Sequence, residues 1–157
     1  LKDELALSEV AIAEIVLVLA GAPGNDVEAT TGAIEGLPPE ARRRVHVLGR
    51  IDDLTKSWLV HHARVLAYPS LDEGFGFPIV EAQLAGTPVA ASDVGAVSEI
   101  GGDGVHLVAV GDTEKRARLL CRYVGRECGC GIGVGVVLIA GIRIRYAPAV
   151  VAVVQTG

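Results

Sequence analysis

Hydrophobic residues in this chain fall into short runs, separated by polar segments that carry most of the glycines and prolines. Residues 14–20 read E-I-V-L-V-L-A and are closed by Gly21, residues 45–48 read V-H-V-L, residues 65–68 read V-L-A-Y, residues 87–92 read T-P-V-A-A-S and residues 105–110 read V-H-L-V-A-V. Continuous β-branched runs of this length are what strands buried on both faces of a parallel sheet require. The intervening stretches read as helices. One spans residues 26–36 and is broken by Pro38-Pro39; a second is entered through 49–53, with Asp52 or Asp53 as its cap and Trp58, Leu59 and Val60 as its apolar face. A third starts near Pro78, a short one covers 96–100, and another starts at about Glu114 behind the capping sequence Gly111-Asp112-Thr113. Residues 1–13 suit one further helix of undefined face, and Arg42-Arg43-Arg44 reads as a solvated helix end. Strands alternating with helices at this spacing predict the α/β class: right-handed crossovers, a parallel sheet and helices on both of its faces.

The stretch Y-P-S-L-D-E-G-F-G-F-P-I-V-E-A-Q-L-A-G, residues 68–86, departs from a plain strand-turn-helix. Gly74 and Gly76 bracket Phe75, so the backbone there can approach a ligand and take conformations a side chain forbids, and Pro78 suits the start of a helix. The first-turn N–H groups of that helix have no intrahelical partners and carry partial positive charge, which makes a seat for an anion such as a diphosphate. Two carboxylates flank it, Glu73 in the loop and Glu81 in the first helical turn, with seven residues between them. An ionised acceptor beside a phosphate turn is suited to ribose hydroxyls, and Glu81 is the candidate for that role. The alternative is that Glu81 only complements the helix dipole while Glu73 is a solvated loop acid. Gly21, Gly49-Arg50, Glu73 to Phe77 and Asp93 all follow strand ends, where open α/β sheets bind ligands. Gly21 alone is equally explained as a tight strand end, and Arg50 as a surface residue.

Composition narrows the function. With 157 residues, 50% of them hydrophobic, the chain suits one domain with a sizeable core. Residues 1–114 hold 7 Lys and Arg against 18 Asp and Glu, a net −11, while residues 115–157 hold 7 against 1, a net +6. An acidic body argues against a nucleic-acid partner. Asp52-Asp53 is better read as a cap than as a metal site, and the adjacent His61-His62 point in different directions and cannot both chelate. Cys121, Cys128 and Cys130 form no disulfide framework and lack a fourth ligand for a tetrahedral metal, so no metal is expected. The unpaired cysteines suit a reducing setting and acidic residues in the first twenty positions do not fit a signal peptide, which predicts a cytoplasmic chain; the uncharged run 129–142 is too short and glycine-rich to span a bilayer, which predicts no transmembrane segment. The division is therefore a domain over 1–120 and an atypical Gly-, Val- and Arg-rich tail over 121–157. Composition, charge and pattern change together at that boundary, as a shift of reading frame would produce.

With residues 68–92 in view, the chain resembles the donor-binding, C-terminal domain of the GT-B retaining glycosyltransferases, specifically glycosyltransferase family 4. The resemblance rests on two glutamates with seven residues between them, Gly-Phe-Gly among those seven, a small-residue helix ending in Gly86, and the Pro88-Val89 strand. It implies a Rossmann-like domain, the C-terminal half of a GT-B fold, that binds a nucleotide diphosphate sugar without a metal or other cofactor. By resemblance Glu73 faces the donor sugar as the catalytic carboxylate, the amides from Gly74 through Phe75 and Gly76 to Phe77 meet sugar and phosphate, and Glu81 meets the ribose. Gly49, Arg50 and Ile51 inherit a contact to the base, and Glu99 a structural place. The resemblance also implies an N-terminal acceptor domain and a basic Arg and Lys pair for the pyrophosphate. Neither is found in the chain, apart from Lys2 as a weakly placed lysine, and the tail from Cys121 does not fit the pattern. The implied function is the donor half of an enzyme that moves a sugar to an acceptor hydroxyl, with peripheral membrane contact of the parent protein open. The rival is a non-catalytic nucleotide-binding module or inactive fragment.

Overall fold

The computed structural model describes residues 14–22, 27–71, 75–123 and 150–156. The helix expected over 1–13, Lys2, Asp26, Cys128, Cys130 and the apolar run 129–142 lie outside the described residues, as do Glu73 and Gly74. The first strand, β1 (Glu14–Ala20), is the β-branched run anticipated from the sequence. It leads through α1 (Val27–Glu35) and the short α2 (Pro39–Arg42) to β2 (Val45–Gly49). Next come α3 (Asp53–His62), β3 (Ala63–Tyr68) and α4 (Phe77–Leu84). The chain continues through β4 (Val89–Ser92), α5 (Ala96–Gly101), a 3-10 turn (Gly102–Gly104), β5 (Val105–Val108) and α6 (Thr113–Tyr123). The last described element is β6 (Val150–Thr156).

One sheet holds all six strands in the order β2-β1-β6-β3-β4-β5. The pairs β1–β2, β3–β4 and β4–β5 are parallel, as expected for crossovers through helices. From β1 the chain steps outward to β2, whereas from β3 it steps the other way to β4 and β5, so the direction of winding reverses between β1 and β3. The addition to the expected parallel sheet is β6, antiparallel to both neighbours: Ala152 lies opposite Val18 on one side and Leu66 on the other. A strand of the atypical tail thus occupies the centre of the sheet.

Alternation along the strands produces two cores. Leu17, Leu19, Val65, Ala67 and Ala90 point to a layer formed by Leu37, Ala41 and Leu120, with Ile34 and Ala117 beside it, which places α1, α2 and α6 on that face. Val16, Val18, Ala20, Leu66, Tyr68, Val89 and Ala91 point the other way, onto Leu59, Val60, Ile79, Ala82 and Val97 of α3, α4 and α5. Each fully buried Leu, Ile or Val contributes roughly 1.5–3 kcal/mol relative to exposure, so the long apolar side chains at the centre of these layers, Leu59, Leu66, Ile79 and Leu120, fix the helix positions. The fold is α/β and Rossmann-like, with helices on both sides of the sheet.

Two local expectations are corrected. Trp58 does not join Leu59 and Val60 in the core; it is 37% exposed and stacks on His62 at 4.2 Å, because three consecutive helical positions cannot all face one layer. The residues after Pro38 are more than a break, although Arg42 and Arg43 are exposed at a helix end as expected. Pro39 opens α2, and Arg42 Nη2 donates to the carbonyls of Glu35 and Leu37, so that it closes the C-terminal end of α1.

Candidate functional site

Because β1 to β5 run parallel, the loops that leave their C-terminal ends share one edge of the sheet, and the reversal between β1 and β3 is where ligands settle in open α/β folds. Two of the predicted loops on that edge, those after β1 and β2, are joined directly. The N–H of Gly21, just past β1, donates to the carbonyl of Gly49 at the end of β2, 2.7 Å away, and Gly49 itself has φ +65°. Beyond it Arg50 is exposed, while the side chain of Ile51 is half-buried and packs on the core, which anchors this loop. At the end of β3, buried Tyr68 and Ser70 fix the start of the cradle loop. Asp93 stands exposed past β4, its N–H bonded to the Val108 carbonyl at 2.9 Å. β6 begins between these groups, since Val150 lies opposite Ala20 and Val151 opposite Ala67. At about 4.8 Å per strand spacing, it sets the β1 and β3 loops roughly 10 Å apart.

The described part of the cradle runs from Phe75 into α4. Gly76 has φ +82° and ψ 41°, a left-handed conformation at the helix N-cap that favours glycine, and the Phe75 and Phe77 rings lie 4.6 Å apart, 49% and 65% exposed. The helix starts at Phe77, so Pro78 is its second residue rather than its first, and the expected anion seat is narrower than the sequence implied. Pro78 brings no N–H, and that of Ile79 donates to the Gly76 carbonyl at 2.9 Å.

Glu81 is likewise displaced. It is the fifth residue of α4, beyond the first turn, where it no longer complements unpaired N–H groups at the helix start. Its partner is a residue that the sequence reading missed: Lys56 Nζ, in the first turns of α3, donates to Glu81 Oε1 at 2.9 Å and pairs with Asp53 at 3.3 Å. The hydrogen bond to Glu81 raises the Lys56 pKa above its ordinary value, against the opposing effect of partial burial. Asp53, Lys56 and Glu81, with Ser57, Val60, His61 and Leu84, line an open groove of ≈ 410 Å³ between α3 and α4. Asp53 at the first turn of α3 was a signal, since the i, i+3 spacing sets Lys56 above it; nothing in the sequence linked that turn to Glu81.

Other predicted residues take structural places. Asp52 caps α3 by accepting from the Thr55 N–H at 2.6 Å, and that bond holds its carboxyl below the usual carboxylate range. His61 and His62 engage the carbonyls of Ser57 and Trp58 through their Nδ1 atoms, at 2.8 and 2.7 Å, and Glu99 is exposed on α5. Arg116, also missed because its run T-E-K-R-A-R reads as a solvated face, is 4% exposed and reaches Ser92 Oγ from α6 at 3.2 Å. Among the described residues no group of three or more His, Cys, Asp or Glu is placed to hold a metal ion, and no helix is long and apolar enough to cross a membrane.

Known proteins share this arrangement of sequence. The chain is 40% identical over 79 residues to a phosphatidyl-myo-inositol mannosyltransferase of Mycobacterium leprae (strain TN), covering 48% of this chain and 21% of that protein. It is 42% identical over 59 residues to O-antigen chain mannosyltransferase B of Escherichia coli, covering 38% and 16% respectively. A D-inositol 3-phosphate glycosyltransferase of Streptosporangium roseum is 44% identical over 66 residues, covering 41% and 15%. The chain therefore spans about a fifth or less of the length of these relatives. The sequence profile of the family described as glycosyl transferases group 1 matches residues 4–125, from ahead of β1 to the end of α6. With that match over most of its length and a Rossmann-like sheet beneath it, the chain belongs to the group 1 glycosyltransferases, as a GT-B domain of glycosyltransferase family 4.

Proposed function

We propose that the chain is the donor-binding half of a retaining glycosyltransferase that moves a sugar from a nucleotide diphosphate sugar to an acceptor hydroxyl. One observation carries this reading: the loops after β1 and β2 are joined by the Gly21–Gly49 hydrogen bond at the carboxyl edge of the sheet, the edge from which β3 leads toward the Phe75–Phe77 turn, and Glu81 follows on the helix that leaves that turn. In this reading the loop from Gly49 to Ile51 meets the base, Glu81 accepts hydrogen bonds from the ribose, and the amides of Gly74 to Phe77 face the diphosphate and sugar. Glu73 orients the sugar as the catalytic carboxylate, and Gly21 lets the backbone come close. No metal or other cofactor takes part. The difficult step is departure of the nucleotide, and fixed backbone dipoles at the start of α4 stabilise the charge that develops on its phosphate. The acceptor is held by a second domain, with the reaction in the cleft between the two.

The names of the relatives extend this to mannose-like hexoses as donor sugars and to inositol-bearing or glycan acceptors, the latter compatible with peripheral contact to a membrane. The rival reading, a nucleotide-binding module without transfer activity, predicts the same donor affinity and no product. The test is a panel of uridine and guanosine diphosphate sugars incubated with the full-length protein and glycan or inositol acceptors, followed by NMR of the product. The expected result is saturable donor binding and a product whose anomeric configuration equals that of the donor. Binding without transfer would favour the module, and an inverted product would refute the retaining assignment.

A further inference from the structure

We propose that Lys56 is a positioning residue that holds the Glu81 carboxylate in register for a ribose; the inference rests on the donor-binding reading above. Glu81 has several rotatable bonds and a side chain 38% exposed, so a carboxylate without a tether would sample many positions. The structure supplies the tether from the other helix of the groove. Lys56 Nζ is bonded to Oε1 at 2.9 Å and is itself drawn toward Asp53 at 3.3 Å, so a line of three charges ties the first turns of α3 to the middle of α4. Lys56 engages Oε1 only, and among the described residues Oε2 takes no hydrogen bond. A carboxylate held through one oxygen keeps its second oxygen as a charged acceptor for the hydroxyls of a vicinal diol.

Stability does not account for the pair. With side chains 30% and 38% exposed, an ion pair of this kind adds little to folding. Pre-ordering a long side chain before a ligand arrives has a larger effect on binding, equivalent to about 2- to 10-fold in affinity for one immobilised side chain. The groove supports the placement, since its Asp53 end adjoins the Gly49–Asp52 loop assigned to the base, and its floor includes Val60 of the core. Base loop, Lys56 and Glu81 then lie in sequence along one wall.

The test compares a nucleoside diphosphate with its 2′,3′-dideoxy counterpart, by calorimetry on the full-length protein and on Lys56→Met, Lys56→Arg and Glu81→Ala. In the parent protein the ratio of the two affinities reads the ribose contact. Lys56→Met is expected to weaken the ribonucleotide by about 2- to 10-fold while the dideoxynucleotide keeps its affinity, and Lys56→Arg, which retains a donor cation, is expected to recover most of the loss. Equal weakening of both nucleotides by Lys56→Met, which leaves the ratio unchanged, would overturn the proposal in favour of a direct phosphate contact, and undiminished affinity for both nucleotides would overturn it outright. Glu81→Ala separates the two levels of the argument. If it leaves the ratio unchanged, the ribose assignment fails and this inference with it; if it collapses the ratio while Lys56→Met does not, only the role of Lys56 fails.

Discussion

The same substitution, glycine to alanine, should act with opposite sign at two positions of this chain. Gly76 caps α4 with φ +82° and ψ 41°, in the left-handed region that costs an L-residue with a Cβ about 1–2 kcal/mol. Gly32 lies inside α1, and a Cβ built there meets nothing within 4 Å, so alanine removes only the entropic cost of glycine in a helix, about 0.5–1 kcal/mol. For a chain of this size each kcal/mol moves Tm by about 2–4 °C. Gly76→Ala is therefore expected to lower Tm by about 2–8 °C and Gly32→Ala to raise it by about 1–4 °C. Thermal unfolding followed by circular dichroism, with denaturant titration to check that the m-value is unchanged, reads both. Because Gly76 also sets where α4 begins, Gly76→Ala should weaken nucleotide binding, whereas Gly32→Ala should not. If Gly76→Ala proves neutral or stabilising, the left-handed N-cap is wrong, and with it the path by which the cradle enters α4.

Other perturbations follow from single contacts. Thr87 is 5% exposed and donates from Oγ1 to the Val60 carbonyl at 2.6 Å, so Thr87→Val should cost about 0.5–1.5 kcal/mol in a denaturant titration; the Ala63 N–H also reaches that carbonyl and keeps the loss at this level. Burial holds the pKa of His46 below its ordinary value of 6.5, so between the two values the unfolded chain binds a proton that the folded chain does not. Stability should be full above about pH 6.5, fall as pH drops from there to the folded pKa, and lose that slope in His46→Gln, as measured by Tm against pH. Ala152→Pro, in the middle of β6 with neighbours on both sides, should remove ladder bonds at the sheet centre and cost about 1–3 kcal/mol per backbone group left unpaired, visible as lost hydrogen-exchange protection in β1 and β3.

The class of the fold was legible because its signal is local. The run of residues 14–20 and those at 45–48, 65–68, 87–92 and 105–110 became β1 to β5, with ends shifted by up to two residues, since an apolar run marks burial and its ends are set by pairing. The caps at Asp52 and Asp112 were readable for the same reason, as each bonds an N–H three residues on. What could not be read was relative placement. Nothing in V-V-A-V-V-Q-T tells that β6 enters between β1 and β3, because a short apolar run specifies a buried strand but not its neighbours. Lys56 and Glu81 meet through the packing of α3 beside α4, a contact across 25 residues that no local spacing encodes. At the candidate site, the glycine loops at Gly21, Gly49 and Gly76 were legible from their punctuation, and all three have positive φ. Glu81 was misplaced by one residue, just enough to move it out of the first turn, because the helix start depended on the conformation of Gly76.

The donor-binding claim is tested most directly by calorimetry of one nucleoside diphosphate against Glu81→Ala and Glu73→Ala in the full-length protein, alongside turnover with the matching nucleotide sugar. In the proposed donor pocket the two carboxylates meet different parts of the donor. Glu81→Ala should remove a charge-assisted hydrogen bond worth about 1.5–3 kcal/mol and weaken both nucleotide and nucleotide sugar by roughly 10- to 150-fold. Glu73→Ala should leave the free nucleotide bound as before and lower turnover, since orienting the sugar matters as the leaving phosphate separates. Unchanged nucleoside diphosphate affinity in Glu81→Ala would contradict the account, and equal loss in both variants would remove Glu73 from the sugar and return it to the shaping of the phosphate loop.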